Sequence, residues 1–235
     1  MLHQATEVKS LRPDLGNLLF PKQGGDICPF ASFGRHVAFK RHAIIFSSGS
    51  ACHGLYRIER GLIALRHHHG DGRRAIVRLG RPGDIVEWSG ALVGSRHRYE
   101  GWALCDGDYC YLPVEEWCRD NPSQVQQWAM MAAYRENLLL EESVARLSVL
   151  NSEERLLTFL LSLVDERQLD RFPISIRVPV QKNEIAEIIS VTPESCSRTL
   201  TKLQKQGVIE WKDREKMLIL DKTVKHLVPF IKFFR

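Results

Sequence analysis

The chain has 235 residues, enough for two separate cores at roughly 100–200 residues per domain. Hydrophobic residues at 44% and charged residues at 26% exclude a disordered, collagenous or disulfide-dense protein. The start "MLHQATEVKS" lacks a basic segment leading into an apolar run, and no stretch reaches the roughly 18 apolar residues of a membrane span, so no membrane partner and a cytoplasmic location are expected.

The net charge of +5 is unevenly placed. From Ser195 onward ten Lys and Arg stand against four Asp and Glu, a surplus of +6 that leaves −1 for the rest, so the tail suits a polyanion. The six cysteines, at 28, 52, 105, 110, 118 and 196, form no C-x-x-C pair and read as free thiols, with no metal spacing among them.

Between Ala43 and Pro113 apolar runs such as "GLYRIERGLIAL" and "RRAIVRLGRPGDIVEW" are broken by Ser-Gly, Arg-Gly, Asp-Gly and Pro-Gly-Asp. That punctuation describes an all-β unit, a sandwich, barrel or roll. Asp71-Gly72 signals a two-residue type I′ hairpin. Strand alternation puts His67 and His69 on one face, either a solvated run beside the turn or a metal or haem site.

From Ser123 to Val149 Gly and Pro are absent, and Met130, Ala133, Asn137, Leu140, Val144 and Leu147 recur at heptad spacing. Two readings fit this helix of about 40 Å, a dimer seam or a face packed within the chain. Asn137 either fixes register in a seam or lies at a solvated stripe edge. Asn151, with Glu154 three residues on, then spells a capping box, so a second helical unit begins after a hinge at Val149 to Asn151.

Within that unit Ile185, Ala186, Ile188 and Ile189 give a short helix an apolar face, and "SVT" makes a turn. Thr192 caps the next helix, Pro193 occupies its first position, Leu200 and Leu203 face inward, and Gly207 closes it in the left-handed region. Glu194, Ser195, Ser197, Arg198 and Lys202 are left for the outer face, as in a recognition helix. Arg198 suits guanine O6 and N7, Glu194 suits cytosine N4, and Ser197 suits a base or a phosphate. Thr192, Ser195, Lys202 and Lys205 suit phosphates. "VIEWKDREKMLIL" reads as a wing hairpin. Cys196 is either buried filler or a thiol ionised by nearby cations, which would make DNA binding redox-sensitive.

These residues resemble the Crp/Fnr family of transcription regulators over nearly the whole chain after Ala43. The resemblance rests on "GLYRIERGLIAL", "DGRRAIVRLGRPGDIVEWSGAL", "YCYLPVEEW", "NSEERLLTFLL" and "PESCSRTLTKLQKQGVIE". It implies an α+β protein: a cyclic-nucleotide-binding-like β-roll sensor over residues 1–120, a dimerisation helix and hinge over 121–150, and a winged helix-turn-helix over 151–235.

The Fnr branch carries E-x-x-S-R in its recognition helix, here Glu194, Ser197 and Arg198, which implies a palindromic TTGAT-like site bound by a homodimer through Met130, Ala133, Asn137, Leu140 and Val144. RNA polymerase is an implied partner of an activator. The family's cyclic-AMP binders grip the phosphate with an Arg-Ser pair. Here Glu87 is present, but "RHRYEGWAL" offers Tyr99 and Glu100, which disfavours cyclic AMP. An iron-sulfur cluster would draw on Cys28 and Cys110, and Cys52 or Cys105 would have to complete the four thiolates. Oxygen-sensing members place a charge in the seam where this chain has Leu140, implying a dimer without cofactor.

No G-x-S-x-G, P-loop, H-E-x-x-H or dinucleotide fingerprint occurs, so no catalytic machinery is visible. A protein-docking module built on a winged helix is the other reading of the second unit.

Overall fold

The computed structural model describes residues 34–92, 94–120, 122–164, 168–169 and 171–234. Eight strands build the first half: β1 (Arg35–Phe39), β2 (Ile44–Phe46), β3 (Gly54–Arg60), β4 (Ile63–His68), β5 (Arg74–Gly80), β6 (Ile85–Val86), β7 (Glu100–Ala103) and β8 (Gly107–Pro113). They form two antiparallel sheets, ordered β1-β8-β3-β6 and β2-β7-β4-β5. Phe39, Phe46, Tyr56, Ile58, Ile63, Leu65, Val86 and Ala103 make one buried cluster across this roll.

The hairpin at Asp71-Gly72 differs from the expected type I′ turn. Positive φ falls on Gly72 alone (φ 83), the Gly72 amide donates to His69 O at 3.0 Å, and the His69 amide donates to Arg73 O at 2.9 Å. This is a three-residue loop ending in a bulge, a geometry that needs only one left-handed residue. Strand β1 lies before the first strand the sequence pattern marked, because its polar and apolar residues alternate too weakly to stand out.

Short helices α1 (Trp88–Leu92) and α2 (Val114–Asp120) lead into α3 (Pro122–Val149). One side of α3 is tied to the roll. Ala132 is buried with Leu55, Leu112 and Trp117; Arg135 Nη2 donates to Asp84 Oδ1 at 2.9 Å; and Arg78 Nη1 donates to Glu136 Oε2 at 2.8 Å. The other side is open: Met130, Leu140, Val144 and Leu147 are all exposed, as are Ala133 and Asn137. The stripe is therefore not a face packed within this chain.

The second half contains α4 (Ser152–Ser162), β9 (Ile174–Arg177), α5 (Lys182–Ile189), α6 (Pro193–Lys205), β10 (Ile209–Trp211), β11 (Lys216–Ile219) and a 3₁₀ segment at Lys222–Phe234. The Asn151–Glu154 capping box forms in both directions. Strands β10 and β11 are the wing, and β9, absent from the sequence reading, completes their sheet in the order β10-β11-β9. One buried cluster spans both halves, joining Leu62, Ala64, Ile76 and Leu104 of the roll to Leu156, Ile185, Ile188 and Leu200.

Candidate nucleic-acid interface

Helix α6 sorts its residues by period. Cys196, Thr199, Leu200 and Leu203 are buried, at i, i+3, i+4 and i+7, while Glu194, Ser197, Arg198, Thr201, Lys202 and Lys205 are exposed. The Thr192 hydroxyl accepts from the Ser195 amide at 3.2 Å, which fixes the helix start. The helix ends in a paired closure: the Gly207 amide (φ 69) donates to Gln204 O at 3.0 Å and the Val208 amide to Leu203 O at 2.9 Å. At the turn from α5, Ser190 takes the left-handed conformation (φ 57, ψ 53).

The outer face is preorganised. Arg198 Nη2 donates to Ser195 Oγ at 3.0 Å, which holds the guanidinium over the first turn. The Glu194 carboxyl is held below the usual carboxylate range by a backbone N–H at the helix start, then by the Thr192 hydroxyl and by Arg198, so it is an acceptor at neutral pH. Lys202 Nζ pairs with Glu153 Oε1 at the start of α4. An exposed pair of this kind is worth about 0–1 kcal/mol, which leaves the ammonium free to move to a phosphate.

The two halves meet through α5, which is buried on both sides because α6 covers one and the roll the other. Its Glu184 accepts from the Gln181 amide at 2.7 Å and from Trp102 Nε1 at 3.1 Å. Glu187 lies 2.9 Å from Arg66 Nε and 3.5 Å from Arg74 Nε, and the Arg66 guanidinium sits over the Trp102 ring at 4.5 Å. Arg146 of α3 donates to Ile188 O at 3.2 Å. Sequence reasoning missed this junction, since none of its partners are near one another in the chain. The weak signal available was two glutamates, Glu184 and Glu187, interleaved with the apolar residues of the short helix.

Of the two readings of Cys196, the structure shows the buried one and not the ionised thiol. The residue is 0% exposed, its Sγ faces Lys182 O at 3.8 Å, and burial pushes the thiol up to about 11 despite nearby Lys182. Cys110 is also 0% exposed, packed with Leu55 and Trp117, so neither is an accessible redox thiol; Cys28 lies outside the described residues. Among the described residues no three cysteines bring their sulfurs together as cluster ligands would be. His67 and His69 are exposed, with rings 4.8 Å apart, and form no three-ligand group. Tyr99 meets His67 edge-on, and Glu100 lies 3.7 Å from Arg66 and 3.2 Å from His68 Nε2, so the roll's polar wall there carries a carboxylate already paired to Arg66.

A β-roll, a long helix and a winged helix-turn-helix whose second helix keeps one face exposed define the class, a DNA-binding regulator. Comparison with known proteins gives the family. Residues 36–118 match the cyclic nucleotide-binding domain and residues 154–223 the Crp-like helix-turn-helix domain. The chain is 26% identical over 202 residues to the nitrogen fixation regulation protein FixK of Azorhizobium caulinodans, covering 82% of this chain and 78% of FixK. It is 24% identical over 184 residues to the transcriptional activatory protein AadR of Rhodopseudomonas palustris, covering 77% and 75%. The Crp-family regulator TTHB099 of Thermus thermophilus superposes with a TM-score of 0.67 at 25% identity, over 83% of this chain and 96% of that one.

The chain belongs to the Crp/Fnr family: it is a transcription regulator that binds DNA through its helix-turn-helix. Proteins of this family bind DNA and typically form homodimers. No helix among the described residues is long and apolar enough to cross a membrane.

Proposed function

We propose that the chain acts as a homodimer on a palindromic TTGAT-like site, reading bases with Glu194, Ser197 and Arg198 and gripping phosphates with Thr192, Ser195, Lys202 and Lys205. The observation that carries this reading is the outward placement of Glu194, Ser197 and Arg198 on a helix whose opposite face is buried. Met130, Ala133, Asn137, Leu140 and Val144 form the dimer seam; their exposure along one side of a helix anchored on its other side supports it. Residues 1–120 sense, 121–150 dimerise and 151–235 bind DNA. The protein is cytoplasmic and non-catalytic, and it contacts RNA polymerase where it activates.

A change in the roll reaches the recognition helix through the contacts of Glu184 and Glu187 with Trp102, Arg66 and Arg74. Cyclic AMP is a poor effector, because the paired Glu100 carboxylate opposes a phosphate. The apolar Leu140 in the seam supports dimerisation without a cofactor.

The test is fluorescence anisotropy with a duplex bearing inverted TTGAT half-sites against a shuffled duplex, over a salt series. Preferential binding that weakens steeply as salt rises supports the reading. Equal affinity for both duplexes, or none at low ionic strength, overturns it.

A further inference from the structure

Two loops of the roll, around residues 47–53 and 94–98, are stitched to each other by backbone bonds and to α1, where the Ser95 amide donates to Gly90 O at 2.9 Å. The Gly49 amide donates to His97 O at 2.8 Å, the His97 amide to Ser50 O at 2.8 Å, and the Cys52 amide to Ser95 O at 3.1 Å. This brings Cys52 Sγ, a Glu87 carboxylate oxygen and a His97 ring nitrogen within 4.8 Å of one another, the one such group among the described residues. Cys52 is 3% exposed, and the side chains of Glu87 and His97 are 6% and 2% exposed.

We propose that Cys52, Glu87 and His97 form a binding site for a divalent cation of the zinc class. The donor set is borderline-soft sulfur, nitrogen and oxygen, the mixture zinc and cobalt favour over magnesium or calcium. Bonds of about 2.0–2.3 Å in a tetrahedron separate ligand atoms by roughly 3–4 Å, so a small inward movement of three side chains closes the site and leaves a fourth position open.

Charge points the same way. Among the described residues the Glu87 carboxylate pairs with one side chain, His97, whose Nδ1 lies 3.1 Å from Oε2, and no Lys or Arg reaches it. The buried Glu87 carboxyl has a single side-chain partner, and a divalent ion supplies a second, stronger one. Its arms are ready to move. Cys52 Sγ makes only weak contacts, with Gly54 O at 3.8 Å and Glu87 O at 3.6 Å. The His97 ring is steadied by Phe46, stacked at 4.4 Å. Glu87 is held at φ 59, a conformation that aims its side chain inward at some backbone cost.

On binding, the Cys52 S–H bond breaks, sulfur bonds the metal and the proton leaves to solvent; the proton held between His97 Nδ1 and Glu87 Oε2 also passes to solvent, so that Nδ1, with the ring N–H on Nε2 exchanged from solvent, and the carboxylate both ligate. Nothing in this step depends on the DNA reading.

The test uses the full chain, stripped of metal by a chelator and titrated with cobalt(II) and then zinc(II). The expected result is one cobalt per chain with a thiolate-to-cobalt absorption band, displaced by zinc, and a zinc-dependent rise in thermal midpoint. Cys52→Ala loses the band. Even outer-shell partners are worth about 10–100-fold in affinity, so His97→Ala and Glu87→Gln weaken binding by at least that much. His67→Ala/His69→Ala binds as the parent does. No uptake by the folded parent overturns the proposal, as does a band that survives in Cys52→Ala or is abolished in the His67/His69 variant. Because these readouts contain no DNA, they fail or succeed independently of the duplex assay.

Discussion

Trp102 Nε1 donates to Glu184 Oε1 at 3.1 Å, a hydrogen bond from β7 of the roll to the first helix of the helix-turn-helix. The other oxygen of the same carboxylate caps its own helix through the Gln181 amide. One side chain therefore holds α5 in shape and holds it against the roll.

Glu184→Ala leaves a part-buried indole N–H and a helix start without their acceptor, a loss of about 1–3 kcal/mol. Glu184→Gln keeps a carbonyl acceptor and loses less. Urea denaturation gives the magnitude. Hydrogen exchange localises it, with faster exchange expected at the α5 amides and in the facing strand β5; unchanged exchange there would mean the contact does not hold the halves together.

Arg198→Ala removes a donor pair suited to guanine. A lost bidentate base contact costs about 1–3 kcal/mol, so affinity for the inverted TTGAT duplex falls by roughly 10–100-fold while affinity for the shuffled duplex changes little. Lys205→Ala, by contrast, weakens both duplexes alike and lowers the salt slope by about 1. Anisotropy titrations at several salt concentrations separate the two outcomes.

Leu140 is 61% exposed on the open side of α3. Leu140→Glu withdraws an apolar side chain from each partner, about 3 kcal/mol or more across a twofold seam, and so raises the dimer dissociation constant at least about a hundredfold. Analytical ultracentrifugation of parent and variant measures this. A parent that sediments as a monomer at micromolar concentration removes the seam from the account.

Burial raises the Cys196 thiol from the ordinary 9.0 to about 11, so the folded state holds this proton at pH values where the unfolded chain releases it. The sign follows: between 9 and about 11 the unfolded state binds fewer protons, and stability falls as pH rises. Cys196→Ser lacks that contribution, so its urea midpoint drops less than the parent's across the window. At neutral pH the thiol is protonated and enclosed, and DNA binding by Cys196→Ser should respond to oxidants as the parent does. A protective effect of the substitution would contradict the buried placement.

Short periods and turn chemistry could be read directly from the order of residues. The order strands, long helix, winged helix-turn-helix was legible from Gly and Pro punctuation, the heptad run and the Thr192-Pro193-to-Gly207 frame. So was the outward side of α6, since Leu200 and Leu203 facing inward leave the opposite face for solvent; the structure adds Cys196 and Thr199 to the inward set. Meetings across long separations emerged only once the chain was folded. Strand β9 pairs with β11 some forty residues away, with Ile174 opposite Ile219. Glu184 finds Trp102, and Cys52, Glu87 and His97 converge from three separate segments. Such contacts carry no local pattern, because a side chain's partner is chosen by the folding of everything between them. Cys196 shows the same division in one residue: its neighbours in sequence are cations and hydroxyls, yet its neighbours in space are buried, and burial sets its chemistry.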